Sequence, residues 1–127
     1  MKILMVDDDA DDRYLSLFAF KRLDTNHTLE FINGGQELIE HLITLEGSTD
    51  ELPDLILLDL NMPEMNGKMV LAQIKARPKL RHLPIAIFST SNSQKDIDES
   101  LVLGAENFII KPSNLEQLME VFKKIFA

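Results

Sequence analysis

Carboxylates, a hydroxyl and an ammonium group follow separate apolar runs of this chain, and together they suggest metal and phosphoryl chemistry. A cluster of aspartates follows the first run, Asp59 the third, Ser89 the fourth and Lys111 the fifth. Carboxylate oxygens are the ligands that a hard cation such as Mg²⁺ prefers. A metal ion and an ammonium group can neutralise a transferring phosphoryl group, and a carboxylate can be its nucleophile. These residues are therefore the candidate site.

These groups can act together only if the apolar runs lie side by side in one sheet. Short apolar runs and helical patterns alternate five times along the chain. The predicted strands cover residues 3–6, 28–33, 55–58, 85–88 and 107–110. The predicted helices cover residues 10–23, 36–46, 67–76 and 94–103, and Asn114 caps a last one.

This alternation predicts an α/β fold, a flavodoxin-like doubly wound (βα)5 domain with a five-stranded parallel sheet in the order 2-1-3-4-5. Runs 1, 3 and 4 are almost entirely apolar, as expected of parallel strands that are buried on both faces. A closed eight-stranded barrel needs about 250 residues, whereas this chain has 127. We therefore expect residues 1–127 to form a single domain without an output domain.

In this strand order the ends of strands 1 and 3 lie about 4.8 Å apart. Asp7 and Asp8 would then converge with Asp59, and three carboxylates so close together need either shifted protonation or a cation. Ser89 would lie near Asp59, and the long side chain of Lys111 would bridge the gap from strand 5. The other aspartates of the first cluster are typical of a helix N-terminus, where carboxylates accept hydrogen bonds from free N–H groups and interact favourably with the positive end of the helix dipole. They are Asp9, Asp11 and Asp12.

Composition excludes several other classes of function. The chain has no Cys, which excludes disulfides, thiolate catalysis and cysteine-ligated metal sites. Its net charge of −8 opposes binding to nucleic acid and to anionic membranes. The apolar runs are too short to span a bilayer, and the N-terminus does not have the pattern of a signal peptide. We therefore expect a cytoplasmic protein that binds neither nucleic acid nor membranes.

Several short motifs, found in the same order along the whole chain, resemble the receiver domain of two-component response regulators. The motifs are Val6-Asp7-Asp8, Asp59-Leu60-Asn61-Met62-Pro63 with Gly67, Pro84-Ile85 with Ser89-Thr90, Gly104-Ala105, and Lys111-Pro112. The resemblance implies a stand-alone, chemotaxis-regulator-like receiver. Its phosphoacceptor would be Asp59, and the donor would be a sensor histidine kinase or a histidine phosphotransfer protein. The signal would then pass to a downstream protein.

The resemblance also implies the metal ligands. Asp8, Asp59 and the backbone carbonyl of Asn61 would bind Mg²⁺, or Mn²⁺ in its place, with Asp7 acting through water. Activity would be limited to Mg²⁺-dependent self-phosphorylation and self-dephosphorylation on Asp59, so the chain would not be an enzyme acting on other molecules.

The remaining roles concern the phosphoryl group and the switch. The resemblance implies that Lys111 pairs with the phosphoryl oxygens and that its bond to Pro112 is cis. Ser89 would move towards the phosphorylated aspartate, and Phe108 would turn inward in response. The protein-binding surface would thereby differ between the two states.

Two other functions are open on the same residues. A haloacid-dehalogenase-like small phosphatase also has an Asp-x-Asp run after its first strand, although Asp11 stands where such enzymes usually have Thr or Val. A pseudo-receiver would bind partners without phosphorylation, but the intact set of site residues argues against it. A calcium loop is excluded because Asp12 and Phe18 stand where an EF-hand needs Gly and Glu.

The first and last helices carry more apolar residues than one buried face needs. We expect these residues either to pack internally or to contact a kinase or a second copy of the chain in a homodimer. They are Tyr14, Leu17, Phe18 and Phe20 in the first helix, and Met119, Val121 and Phe126 in the last.

Overall fold

Five strands and five helices alternate in the computed structural model, which describes residues 1–48 and 50–126. The strands are β1 (Lys2–Val6), β2 (Thr28–Ile32), β3 (Leu55–Leu58), β4 (Ile85–Ser89) and β5 (Asn107–Ile110). The helices are α1 (Ala10–Lys21), α2 (Gly35–Thr44), α3 (Gly67–Lys75), α4 (Gln94–Val102) and α5 (Leu115–Ile125). Among the described residues, no helix combines the length and apolar composition of a membrane span.

All strand pairs are parallel, and the sheet has the order β2-β1-β3-β4-β5. The predicted flavodoxin-like architecture is therefore confirmed. Val6 pairs with Leu58, so the residues that follow β1 and β3 leave the sheet side by side. Ser89 pairs with Ile110 in the same way at the ends of β4 and β5. The carboxyl ends of four adjacent strands thus form one edge, where ligands bind in open α/β sheets.

Side chains of the central strands alternate between two apolar clusters, one on each face of the sheet. In β3, Ile56 and Leu58 belong to the cluster that α2 and α3 cover, whereas Leu57 belongs to the cluster that α1 and α5 cover. These three side chains have no exposed surface. Burial on both faces explains why the central strands are apolar throughout. The buried strands in turn hold in place the polar residues that follow them.

The ends of several elements differ from the predictions by one or two residues. α1 ends at Lys21 because the N–H of Arg22 turns back to the carbonyls of Ala19 and Phe20. β4 continues through Ser89, whose carbonyl accepts a hydrogen bond from the N–H of Lys111 at 2.7 Å. This extension keeps the backbone of Ser89 within the sheet.

The additional apolar residues of α5, together with Phe126 just after it, pack internally, whereas two of those in α1 do not. Phe126 is buried, and its ring meets that of Phe20 edge-on at a centroid distance of 5.5 Å. Met119 and Val121 are half-buried against the same cluster. The residues that remain exposed in α1 are Tyr14 and Phe18, whose rings stack on each other.

Candidate functional site

Three carboxylates meet at the carboxyl ends of β1 and β3. Asp7, Asp8 and Asp59 each offer an oxygen within 4.8 Å of the others. The N–H of Asp59 donates to the carbonyl of Val6, and that of Asp7 donates to the carbonyl of Ile32. These bonds continue the sheet one residue beyond each strand, which fixes both aspartates. Asp7 and Asp59 are buried and Asp8 is exposed, so the group faces solvent on one side.

The structure brings Lys111 to this group from the end of β5. Its Nζ lies 2.5 Å from Asp7 Oδ2 and 3.4 Å from Asp59 Oδ2. Only 7% of its side chain is exposed. A third carboxylate, Asp12 in the first turn of α1, lies 3.1 Å from the same Nζ. The charged centre is therefore larger than the sequence analysis predicted.

Asp12 fits a helix N-terminus by residue type, which is why its ion pair with Lys111 was missed. A signal for that contact was present in the spacing. Asp12 precedes Leu15 and Ala19, two apolar residues at helical spacing, by three and seven residues. Asp12 therefore stands on the face of α1 that packs against the sheet.

The start of α1 is capped as predicted. The side chain of Asp9 accepts hydrogen bonds from the N–H groups of Asp11 and Asp12, at 2.9 and 3.1 Å. The N–H of Asp9 in turn donates to Asp7 Oδ1. A further residue that sequence reasoning missed, Arg13, donates from Nη1 to the carbonyl of Asp7 at 3.0 Å. These contacts tie the first turn of the helix to the buried carboxylate.

Burial and neighbouring charges have opposite effects on the pKa values of Asp59 and Lys111. Burial raises the pKa of Asp59, although the Lys111 charge and a hydrogen bond from the N–H of Asn61 partly offset the rise. For Lys111, burial acts to lower the pKa, but the hydrogen bond to Asp7 and the charges of Asp59 and Asp7 outweigh it. The pKa of Lys111 is therefore raised, and this side chain stays positively charged at neutral pH.

Ser89 is fully buried, but its link to Asp59 is indirect. Asn61 Nδ2 donates to Ser89 Oγ at 3.4 Å, and the N–H of Asn61 donates to Asp59 Oδ1 at 3.2 Å. The N–H of Ser91 also donates to Ser89 Oγ, at 3.3 Å. Within the described chain, the hydroxyl of Ser89 has no hydrogen bond to Asp59. Asn61 therefore lies between the two residues that the sequence analysis placed beside each other.

Phe108 lies on the same face of the sheet as Ser89. It pairs with Ile87 in β4, and Ser89 follows Ile87 by two residues, so all three side chains point to one side. Phe108 is half-buried against the cluster on that face. Because β5 is paired with β4, Phe108 is close enough in the fold to respond to a movement of β4.

One expectation about the backbone is wrong. Every peptide bond of the described residues is trans, including the bond between Lys111 and Pro112. The trans form of a bond before proline is favoured by about 0.5–1 kcal/mol. The backbone N–H of Lys111 still reaches the carbonyl of Ser89 in this conformation.

The donor set fits a divalent cation. It consists of carboxylate oxygens, and the exposed Asp8 leaves one side open to water, as a hard and partly hydrated ion requires. A cleft of about 230 Å³ borders Asp8 between the loops that follow β2 and β3. The second loop ends at Gly67, the first residue of α3. Glycine is required there because a Cβ atom would collide with the carbonyl oxygen of Asp59. Solvent therefore reaches the carboxylate group from the side of Asp8.

Comparison with known proteins gives consistent results. The family model of the response regulator receiver domain matches residues 3–123. The chain is 32% identical to the probable methanogenesis regulatory protein FilR2 of Methanothrix harundinacea, over 97% of this chain and 79% of that protein. It is also 32% identical to the response regulator Rcp1 of a Synechocystis strain, over 97% of this chain and 84% of Rcp1.

Two solved structures resemble the fold closely. One is the phosphorylated cyanobacterial phytochrome response regulator RcpA, with a TM-score of 0.84 and 37% identity over 98% of this chain and 89% of that chain. The other is the Mn²⁺-bound form of Rcp1, with a TM-score of 0.81 and 31% identity over 98% of this chain and 90% of that chain.

Proposed function

This chain belongs to the response regulator receiver domain family of two-component signalling, and within that family we propose that Asp59 is its phosphoacceptor. The observation that carries the proposal is the convergence of Asp7, Asp8 and Asp59 beside the ammonium group of Lys111. A receiver is a phosphoacceptor rather than an enzyme acting on other molecules. The phosphorylated state of RcpA supports the same chemistry here.

The proposed reaction is transfer of a phosphoryl group from a phosphohistidine. An oxygen of Asp59 forms a bond to phosphorus as the P–N bond breaks, and the imidazole retains the electron pair of that bond. Lys111 neutralises part of the charge on the phosphoryl oxygens. Mg²⁺, held by Asp8, Asp59 and the Asn61 carbonyl with Asp7 acting through water, would supply further positive charge at the same oxygens. The Mn²⁺-bound form of Rcp1 supports the binding of a divalent ion by this chain.

The proposed donor is a sensor histidine kinase or a histidine phosphotransfer protein, and the signal is passed on by contact with a downstream protein. Hydrolysis of the phosphorylated Asp59 would return the chain to its starting state. The net charge of −8 argues against nucleic acid as a direct partner at physiological salt.

Phosphorylation by acetyl phosphate tests the proposal. In the presence of Mg²⁺ or Mn²⁺, mass spectrometry should find one labile phosphoryl adduct, and peptide mapping should place it on Asp59. The adduct should be absent in Asp59→Asn and in EDTA. Asp98→Asn is the matched control, because Asp98 is an exposed residue of α4 whose carboxylate accepts a hydrogen bond from Gln94.

Two results would contradict the proposal. Equal labelling of wild type and Asp59→Asn would mean that another residue is the acceptor, and equal labelling in EDTA would exclude a required metal ion. Steady turnover of external phosphomonoesters that survives in Asp59→Asn would instead favour the phosphatase, with its nucleophile among residues 7–11.

A further inference from the structure

The ammonium group of Lys111 has a carboxylate partner outside the candidate metal site. Its distances to the aspartate Oδ2 atoms increase from Asp7 (2.5 Å) through Asp12 (3.1 Å) to Asp59 (3.4 Å). An ammonium group has three N–H donors, so three carboxylates can share it. The distances show that Lys111 lies closer to the β1–α1 side than to Asp59.

Asp12 differs from the other two partners in its position. Asp7 and Asp59 belong to the group of carboxylates that could hold a metal ion. Asp12 lies in the first turn of α1, and its side chain is 40% exposed. Its substitution would change the surroundings of Lys111 without removing a proposed metal ligand.

We propose that Asp12 is a positioning residue that competes with the phosphoryl group for Lys111. The inference rests on the proposed role of Asp59 as the phosphoacceptor. With acetyl phosphate, an Asp59 oxygen bonds to phosphorus as the bond from phosphorus to the acetate oxygen breaks, and acetate leaves with that electron pair. The side chain thereby gains about one negative charge. This charge attracts Lys111, and Asp12 opposes the shift by holding the ammonium group beside α1.

Removal of the Asp12 charge should therefore speed phosphorylation of Asp59, because Lys111 becomes available to the charge that develops on the phosphoryl oxygens. In Asp12→Asn we expect the rate with acetyl phosphate and Mg²⁺ to rise about three- to fivefold. This change equals about 0.6–1 kcal/mol, the upper range for a half-exposed ion pair. Asp12→Glu restores a carboxylate and should bring the rate back towards that of wild type.

Asp11→Asn is the matched control for net charge. Asp11 precedes Asp12 in the same turn of α1 and is exposed. It forms no ion pair among the described residues, so its substitution removes the same charge without touching Lys111. Its rate should equal that of wild type. Equal acceleration in Asp11→Asn and Asp12→Asn would show a general charge effect and overturn the proposal, as would a slower Asp12→Asn.

A spectroscopic measurement tests the contact without phosphorylation. The side-chain ¹⁵Nζ resonance of Lys111, assigned with Lys111→Arg, should shift in Asp12→Asn and stay in place in Asp11→Asn. An unshifted resonance in Asp12→Asn would overturn the proposal. A wild type that acquires no label on Asp59 would contradict the proposed function itself, and the resonance would still decide whether Asp12 holds the ammonium group.

Discussion

Buried polar side chains differ in whether the protein provides them with partners. Asp7 and Asp59 are buried with Lys111 against them, and Ser89 accepts hydrogen bonds from two N–H groups. Ser100 is fully buried in α4, and its hydroxyl has no hydrogen-bond partner among the described residues. A buried hydroxyl without a partner loses its hydrogen bonds to water on folding. The site residues are thus compensated for burial, whereas Ser100 is not.

Substitution by alanine should change the free energy of unfolding in opposite directions at two serines, Ser93 at the N-cap of α4 and Ser100 within the helix. Ser100→Ala should raise the free energy of unfolding by about 1 kcal/mol, because it removes an unpaired hydroxyl and introduces a better helix former. Ser93→Ala should lower it by about 1 kcal/mol, because the Ser93 side chain caps the helix by accepting from the N–H of Asp96. Urea unfolding of the two variants measures both changes. A destabilised Ser100→Ala would show that its hydroxyl has a partner in solution.

At the scale of elements, one lysine joins α3 to α4. Lys68 Nζ lies 2.6 Å from Asp96 Oδ1 and 2.7 Å from Glu99 Oε2. Ser91, in the loop after β4, donates its hydroxyl hydrogen to Asp96 Oδ2 at 2.6 Å. The N–H of Ser91 reaches Ser89 Oγ. A continuous set of polar contacts therefore connects the end of β4 with the N-terminal half of α4 and with α3.

The contribution of the Lys68–Asp96 ion pair to the stability of the fold should depend on pH. The hydrogen bond from Lys68, followed by that from Ser91, lowers the pKa of Asp96 below its usual value in the folded state. The ionised pair therefore stabilises the fold above the unfolded-state pKa of about 3.9. This stabilisation is lost as the pH falls through the lower folded-state pKa.

Lys68→Met should accordingly raise the pKa of the Asp96 carboxyl, measured by NMR titration. It should also lower stability at neutral pH, and the difference from wild type should shrink at acidic pH. Lys95→Met is the control for loss of a positive charge: Lys95 is more exposed, lies 3.9 Å from Glu99 and contributes least to the lowered pKa of Asp96, so its substitution should raise that pKa less than Lys68→Met. An Asp96 pKa that is equal in wild type and Lys68→Met would exclude the contact in solution.

Site residues at the ends of regular strands could be predicted from the sequence, whereas contacts that depend on loops or on individual side chains could not. Asp7 and Asp59 could be placed together because apolar periodicity predicts strands and parallel strands end at one edge. The contact of Asp12 with Lys111 was missed, because the spacing places Asp12 on the inner face of α1 but an aspartate in that turn equally suits a helix N-terminus. The Asn61–Ser89 hydrogen bond depends on loop conformations that no periodicity specifies. Sequence spacing likewise contains no signal that distinguishes the trans from the cis bond before Pro112.

At the scale of the whole molecule, the candidate site is connected to a distant surface through β4. Ser89 ends this strand with its side chain buried, and Phe108 lies on the same face of the neighbouring edge strand. The loop after Ser89 also contacts α4 through Ser91 and Asp96. A displacement of Ser89 would therefore affect β5 and α4 together, and these elements lie on the side of the sheet away from β2.

Phosphorylation of Asp59 should produce such a displacement. The added charge needs a hydrogen-bond donor on the β4 side, and the Ser89 hydroxyl already lies at that strand end, separated from Asp59 by Asn61. Beryllofluoride with Mg²⁺, a stable analogue of the phosphorylated aspartate, should therefore shift NMR signals of Phe108, α4 and α5 in wild type. Two states that differ by a few kcal/mol are sufficient for such a population shift.

Ser89→Ala should bind the analogue, with site signals near Asp59 still changing, but the distant shifts should be lost because the donor is missing. Thr90→Ala is the matched control, since Thr90 is the next residue and is exposed, so its hydroxyl can be removed without changing the buried strand end. It should keep the distant shifts. If Ser89→Ala transmits the same shifts to Phe108 and α5 as wild type, the signal leaves the site by another route, of which the polar contacts through Ser91 and Asp96 are the next to test.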